Sequence, residues 1–207
     1  MPLVRRPVNP PTVATPDAAA VLAALRSADA DERWAAARAA AEVPGAAADL
    51  IRAVWIESHA NVREAMLTSL ARIGSAESIE GLLALLRSDD ANLRTGALDA
   101  LRIMTGATRE LLPRLLTDPD VDIRILSCEL ARSLPGDEAT GHLCSLLARE
   151  QEANVCAAAI DVLTEVGVVA ALPVLAECAE RFHETPFLVF AIEVATDRIT
   201  AETTRRG

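Results

Sequence analysis

Apolar residues recur along the chain at steps of three and four, the spacing that places side chains on one face of an α-helix. Clear groups of this kind are Met66, Leu67, Leu70 and Ile73, and then Ile79, Leu82, Leu83 and Leu86. The groups come in pairs, and the pair recurs about every 31 residues, a period typical of repeat proteins. Each repeat is therefore predicted to contain a first helix and a second helix.

Polar residues and glycines repeat with the same period. Each of the first five repeats has an Asn or Asp, an arginine two residues later, and a glycine about a dozen residues after that. The three sets are Asp31, Asn61, Asn92, Asp122 and Asn154; Arg33, Arg63, Arg94 and Arg124, with Cys156 in the fifth place; and Gly45, Gly74, Gly106, Gly136 and Gly167.

These residue types favour the two ends of each second helix. The Asn or Asp side chain can accept from free N–H groups of the first turn, and Asn61 with Glu64 has the spacing of a capping box. The glycine can adopt the left-handed turn that ends a helix. The first helix of the chain is predicted to begin at Thr15 and Pro16.

A repeat of this length cannot bury its own apolar face and must stack on its neighbours. We therefore predict an all-α fold, an α-solenoid of about six two-helix repeats over residues 17–202. The predicted segments are a Pro-rich arm at 1–16, repeats at 17–45, 46–74, 75–106, 107–136, 137–167 and 168–200, and a tail at 203–207.

The sixth repeat differs from the others. Thr185 and Pro186 are predicted to open its second helix, and no closing glycine follows them. This repeat also holds all three phenylalanines: Phe182, Phe187 and Phe190. A terminal repeat lacks a neighbour on one side, so these rings are interpreted as the hydrophobic plug of a cap, with an exposed docking patch as the alternative.

Charge and cysteine content narrow the possible functions. The net charge of −10 argues against binding to nucleic acids or anionic membrane surfaces, which attract basic proteins. The four cysteines have no paired spacing and lie within helical patterns, as expected of buried thiols in a reducing compartment. A cytoplasmic protein is therefore predicted.

The segments ANVREAMLTSLARIG (residues 60–74), ANLRTGALDALRIMTG (91–106) and VDIRILSCELARSLPG (121–136) resemble HEAT-like repeats of the bacterial phycobilisome-lyase type. The resemblance covers roughly residues 17–200. It implies a right-handed superhelix whose second helices line the concave side. It also implies that Arg33, Arg63, Arg94 and Arg124 form a structural arginine ladder with acids such as Asp89, Asp90, Asp118 and Asp120.

The sequence shows no convergent set of catalytic residues. His59, His142 and His183 lie in different repeats, and His142 and Cys144 are two residues apart on a predicted helix, so their side chains diverge. No metal site, cofactor or catalytic residue is predicted, and the chain is not expected to be an enzyme on its own.

Candidate binding residues are those on the second helices that the repeat does not require. The predicted concave-face residues are Trp34, Arg38, Thr68, Asp99, Arg102, Ile125, Glu129, Arg132 and Asp161. In one interpretation Asp99 pairs with Arg102, and Glu129 with Arg132, on a solvated surface. In the other, the charges form a track for a partner, with Trp34 and Ile125 as apolar anchors.

These observations favour a non-catalytic scaffold or adaptor that binds another protein through its concave face, in a bacterial regulatory or assembly complex. The family resemblance implies an alternative, a subunit of a phycobilin lyase-like or chaperone-like cofactor-attachment factor. The chain is expected to be a monomer or part of a hetero-oligomer.

Overall fold

The computed structural model of the chain describes residues 17–206. These residues form twelve α-helices and two short 3₁₀ helices, at Ala131–Ser133 and Val169–Ala171, and contain no strand. The predicted all-α fold is confirmed. The Pro-rich arm and the start signal at Thr15 and Pro16 lie outside the described residues, and Asp17 caps the first helix.

The helices alternate between two layers, one for the first helices and one for the second helices of the repeats. The first helices are α1 (Ala18–Ala24), α3 (Ala47–Ile56), α5 (Ala76–Leu86), α7 (Thr105–Leu115), α9 (Gly136–Leu147) and α11 (Leu172–Arg181). The second helices are α2 (Ala30–Ala40), α4 (Ala60–Ile73), α6 (Ala91–Ile103), α8 (Val121–Leu130), α10 (Ala153–Val166) and α12 (Pro186–Arg206).

Second helices of consecutive repeats pack against one another along the whole chain, from α2 on α4 to α10 on α12. Each second helix also packs against the first helix of its own repeat. One continuous apolar core results, running from Val21 to Ile199, and Leu50, Met66 and Leu101 are fully buried in it. This stacking confirms the solenoid of six two-helix repeats.

The Asn or Asp of each repeat lies inside its second helix, so the prediction that it caps the helix is wrong. The caps stand two residues earlier: the Asp29 carboxylate accepts from the Asp31 N–H at 2.7 Å, and Asp90 accepts from the Asn92 N–H at 2.8 Å. A short acidic side chain reaches the N–H two residues ahead, which fixes this offset. Helix α4 begins after His59, so the predicted capping box of Asn61 does not form.

The glycines do not share one role. Gly74 ends α4 in the left-handed conformation (φ 61°), as predicted, and Gly45 has φ 78° in the turn after α2. Gly167 ends α10 in extended backbone instead. Gly106 lies within α7 and Gly136 is the first residue of α9, so for these two the predicted C-terminal role is wrong.

The last repeat ends in a long helix with exposed aromatic rings. Helix α12 begins at Pro186, as predicted, and continues through residues 203–206 of the predicted tail. Phe187 and Phe190 are 53% and 67% exposed, so they do not plug the core. Leu188, Ile192, Ala195 and Ile199 are buried there instead. Within the described range, no helix is long and apolar enough to cross a membrane.

Gly136 and Gly106 give a matched test of the packing. A Cβ added at Gly136 would lie 2.5 Å from the Val166 carbonyl oxygen, whereas one added at Gly106 would meet nothing within 4 Å. Gly136→Ala should therefore lower the free energy of unfolding in urea by about 1–3 kcal/mol, because backbone must move. Gly106→Ala should leave it unchanged or raise it by up to about 1 kcal/mol. Equal effects of the two substitutions on stability would show that the close approach of α9 to α10 does not restrict the side chain at position 136.

Candidate functional site

The arginine ladder joins neighbouring repeats at the loops before the second helices. The Arg33 guanidinium donates to the Ser27 and Ala28 carbonyls of its own loop at 2.9 and 3.1 Å. It also makes a two-point ion pair with Glu57 of the next repeat, at 2.7 and 3.0 Å. One guanidinium therefore holds its own loop closed and ties it to the following repeat.

The fourth repeat repeats this arrangement with different residues. Arg124 donates to the Asp118 carbonyl at 2.8 Å and pairs with Glu150 of the fifth repeat at 2.8 and 3.3 Å. Arg94 keeps the bond to its own loop, donating to the Ser88 carbonyl at 2.7 Å. Arg63 lies 3.5 Å from the Asp90 carboxylate of the third repeat.

Of the acids expected to serve the ladder, only Asp90 pairs directly with a ladder arginine. Asp118 pairs with Arg87, and Asp120 caps α8. The carboxylates that form the two-point pairs, Glu57 and Glu150, were not predicted; both are buried. Each carboxylate also accepts a hydrogen bond from a backbone N–H two residues later, that of His59 for Glu57 and that of Glu152 for Glu150. The Arg33 guanidinium, hydrogen-bonded to Glu57, holds the pKa of that carboxyl below its usual value.

Cys156 takes the arginine position in the fifth repeat and is fully buried. Its thiol lies 3.9 Å from the Glu150 carbonyl oxygen, the loop position that the ladder arginines Arg33, Arg94 and Arg124 contact in their own repeats. The register of the repeat is therefore kept where the arginine is missing.

The candidate binding residues lie on the second helices, except Arg132, which lies in the 3₁₀ helix after α8. The first two candidates, Trp34 and Arg38, contact each other. The Arg38 guanidinium stacks over the Trp34 ring, 4.7 Å from its centroid. Trp34 is 39% exposed. These side chains, with Glu64 and Thr68 of α4, line a groove of ≈ 510 Å³ between α2 and α4.

A second groove, of ≈ 380 Å³, lies between α4 and α6. Glu64, Thr68 and Asp99 line it, and the 68%-exposed side chain of Ile103 adds an apolar surface that was not predicted. Ile103 directly follows the candidate Arg102 in the chain. The sequence does not show which of the two side chains lines the groove, because this depends on where α6 ends. The shared residues Glu64 and Thr68 make the two grooves adjacent.

The floor of the second groove depends on Gly96. A Cβ added there would lie 2.5 Å from Leu67 Cδ1, so a glycine allows α6 to approach α4 closely. Leu67 is itself buried and also lines the groove. The depth of this groove is therefore set by a small residue that the core requires.

The charged residues of the later repeats pair with one another. Arg102 lies 3.8 Å from Asp99. Arg132 pairs with Glu129 at 2.8 Å, with Asp161 of the next repeat at 2.5 Å, and with Glu165. The hydrogen bonds that the Arg132 guanidinium donates to Glu129, and then to Glu165 and Asp161, raise the pKa of Arg132. The pairs of Arg102 with Asp99 and of Arg132 with Glu129 are those expected if the charges pair on a solvated surface. The contacts of Arg132 with Asp161 and Glu165 also join the fourth repeat to the fifth.

Ile125 differs from its predicted role as an exposed anchor. Its side chain is only partly exposed and packs against the apolar core. On the second helices α2 to α10, the large exposed apolar side chains are therefore Trp34 and Ile103, both in the first three repeats. Throughout residues 17–206, no group of three or more His, Cys, Asp or Glu side chains is placed to hold a metal ion.

The comparison with protein families agrees with this geometry. Residues 18–102, which contain almost all of helices α1 to α6, match the family model of HEAT repeats. The HEAT-like character predicted from the sequence is thus confirmed for this part of the chain, and, apart from Ile103, the residues that line both grooves lie within the matched range.

Solved structures with a similar arrangement include an archaeal HEAT-like repeat protein from Thermococcus onnurineus NA1. It is 17% identical, with a TM-score of 0.48 over 89% of this chain and 87% of that one. The complex of CpcE and CpcF of phycocyanin lyase from Nostoc sp. PCC7120 is 16% identical, with a TM-score of 0.39 over 97% and 99%. A designed armadillo repeat protein in complex with the peptide (KR)4 is 16% identical, with a TM-score of 0.43 over 87% and 98%. None of the curated proteins matches the chain.

Replacement of Arg124 by methionine tests the ladder. The change leaves the Glu150 carboxylate buried without its cation, so the free energy of unfolding should fall by about 2–3 kcal/mol. Arg72→Met is the matched control, because the Arg72 pair with Glu42 is more than half exposed on both sides. It should change stability by less than about 0.5 kcal/mol. Urea unfolding followed by circular dichroism measures both, and a similar loss in the two variants would contradict a structural role specific to the ladder.

Proposed function

We propose that this chain is a non-catalytic scaffold or adaptor that binds another protein along the surface of its second helices. The observation that carries the proposal is the pair of adjacent grooves across α2, α4 and α6, bounded by the exposed side chains of Trp34 and Ile103. Exposed tryptophans at the edge of a groove are among the residues that contribute most to binding energy.

The shape and the charge of the grooves favour a polypeptide segment as the ligand. The two grooves run side by side across three helices, so a ligand that fills both must be long enough to cross from α2 to α6. Glu64 lies between them and, among the described residues, has no cation within ion-pair distance. A basic side chain of the partner would supply that cation, with apolar side chains beside it on Trp34 and Ile103.

The later repeats extend the same surface with an excess of negative charge. Arg132 is the cation paired with the three carboxylates Glu129, Asp161 and Glu165, so this cluster is negative overall. Such a cluster would attract the basic part of a partner and increase the rate of association more than the affinity. The proposed interface thus has an apolar end at the first three repeats and an acidic end at the fourth and fifth.

Reversal of the charge along this surface tests its carboxylates, from Asp99 in the second groove to Glu129 and Asp161 in the fourth and fifth repeats. Asp99, Glu129 and Asp161 are changed together to arginine, and binding to the protein that co-purifies in stoichiometric amount from native cells is measured. We expect binding to be lost while the helical circular dichroism signal persists. The control reverses three exposed acids of the first helices, Glu77, Glu80 and Glu110, which changes the net charge equally. Binding that survives the first triple change, or that is lost in both, would contradict the proposed surface.

A pair of tryptophans tests the apolar end. Trp34 lies in the groove on α2, whereas Trp55 lies on α3 and is similarly exposed, at 45%. Trp34→Ala should weaken binding to the same partner by at least about tenfold, the effect of losing a central aromatic contact. Trp55→Ala should leave the affinity within about twofold, because it removes an aromatic of equal exposure from the other layer. Titration calorimetry measures both, and equal effects would exclude the grooves as the binding site.

A further inference from the structure

Helix α12 carries an exposed apolar patch that the proposed function does not use. Phe187, Phe190 and Val194 are spaced by three and four residues, so they lie on one face of the helix. Their side chains are 53%, 67% and 42% exposed, and that of Trp34 is 39% exposed. The sixth repeat therefore has an apolar surface of its own, separate from the two grooves of the first three repeats.

The register of the second helices places this patch in line with the candidate binding residues. When residues are counted from the start of each second helix, the fifth residues are Trp34, Glu64, Thr95, Ile125, Ala157 and Phe190. The ninth residues are Arg38, Thr68, Asp99, Glu129, Asp161 and Val194. Burial supports this count, because the third residue of α12, Leu188, is buried like the third residues of α4 to α10: Val62, Leu93, Ile123 and Val155. The patch thus continues the surface of the grooves into the sixth repeat.

The patch is not the face on which a further repeat would stack. The eighth residue of a second helix points toward the next repeat, since a Cβ added at Gly96 of α6 would lie 2.5 Å from Cδ1 of Leu67, the eighth residue of α4. From α2 to α10 this residue is apolar and buried: Ala37, Leu67, Leu98, Cys128 and Ile160. In α12 it is the exposed Glu193. A charged group on this end face opposes stacking of a second copy there.

The charge between the two apolar surfaces indicates the chemistry of the partner. The ninth residues of α6, α8 and α10 are the carboxylates Asp99, Glu129 and Asp161. The guanidinium of Arg132 is shared by Glu129, Asp161 and Glu165, so the middle of the surface is negative. Basic side chains complement this stretch, whereas apolar side chains suit the surfaces on either side of it.

The length of the surface sets the length of the ligand. The second helices pack on one another in sequence from α2 to α12. Packed helices lie about 8–10 Å apart, so the row from Trp34 to Phe190 is about 40–50 Å long. An extended chain rises about 3.3 Å per residue and needs about 12–15 residues to cover that distance.

We propose that the α12 patch is the second apolar contact point of the binding surface, and that the partner is an extended basic segment with apolar residues at both ends. This inference rests on the proposed function and extends its surface to the sixth repeat. One end of the segment contacts Trp34 and Ile103, and the other contacts Phe187, Phe190 and Val194. Once one end is bound, the second binds at a high effective concentration, so the two contacts together give more affinity than either alone.

Synthetic peptides test this proposal on the full chain. The probe is a fluorescein-labelled peptide of about 15 residues, with leucine and phenylalanine at both ends and arginine alternating with serine between them. Three comparison peptides have serine in place of the apolar residues of one end, serine in place of those of the other end, or aspartate in place of the arginines. We expect the first peptide to bind at least about tenfold more tightly than each comparison peptide, as measured by fluorescence anisotropy.

Variants of the chain locate the second contact point. Phe187→Ser combined with Phe190→Ser should weaken binding of the first peptide by at least about tenfold, because one apolar end loses its contacts. The matched control is Val169→Ser, which removes a side chain of the same repeat that is also 53% exposed but lies in the 3₁₀ helix before α11. It should leave the affinity within about twofold. The circular dichroism signal should be unchanged in both variants, since the replaced side chains are exposed.

The outcomes separate this proposal from the proposed function. Weaker binding in Trp34→Ala but not in the phenylalanine variant would overturn the second contact point and leave the grooves as the binding site. Absence of peptide binding, or equal affinity for the first peptide and those with one apolar end, would overturn the proposed segment, while the assays with the co-purifying protein test the proposed function independently. A dimer in sedimentation experiments that the phenylalanine variant dissociates would also overturn the proposal, because a second copy would then cover the patch.

Discussion

Each repeat exposes apolar side chains that only the next repeat can bury, and the rest of the molecule depends on this constraint. Every second helix from α4 to α10 packs between two others, so its small and apolar residues are fixed by contacts on both sides. Gly96 against Leu67 and Gly136 against the Val166 carbonyl are two of the close contacts that this packing requires. The apolar interaction carries no information about register, because one leucine can replace another. Register must come from polar groups.

The arginine ladder supplies that register. A guanidinium has five donors in a fixed plane, so it can satisfy the carbonyls of its own loop and the carboxylate of the next repeat at once. Arg33 with Glu57 and Arg124 with Glu150 do this almost without solvent exposure. Sliding one repeat along its neighbour would leave both charges buried and unpaired, which is costly.

The repeat could be predicted from the sequence because it rests on local spacing. The groups around Leu70 and Leu82 define helices whatever their neighbours are, and the number of repeats follows. The residues that join repeats were harder to predict. Glu57 and Glu150 lie more than twenty residues after their arginines, at a loop position that is serine in the first and third repeats and Asp118 in the fourth, so no local pattern distinguishes them. The helix caps were predicted two residues too late for a related reason. Asp90 and Asn92 are both residue types that cap helices, and only the backbone conformation shows that Asp90 is the residue before α6.

The candidate site was predicted in part for the same physical reasons. Periodicity placed Trp34, Thr68 and Asp99 on the outer side of the second helices, where the structure has them in grooves. Periodicity did not predict that Ile125 packs against the core while Ile103 remains exposed, since the burial of these side chains depends on how far each helix extends. Along α2 to α10, the large exposed apolar groups and the unpaired Glu64 thus collect in the first three repeats, whereas the carboxylates Glu129, Asp161 and Glu165 of the fourth and fifth share Arg132. A partner that follows this part of the surface would meet preformed apolar contacts at one end and charges already paired at the other. Within this part, binding energy should therefore come mainly from the groove end, and charge should govern how the partner approaches.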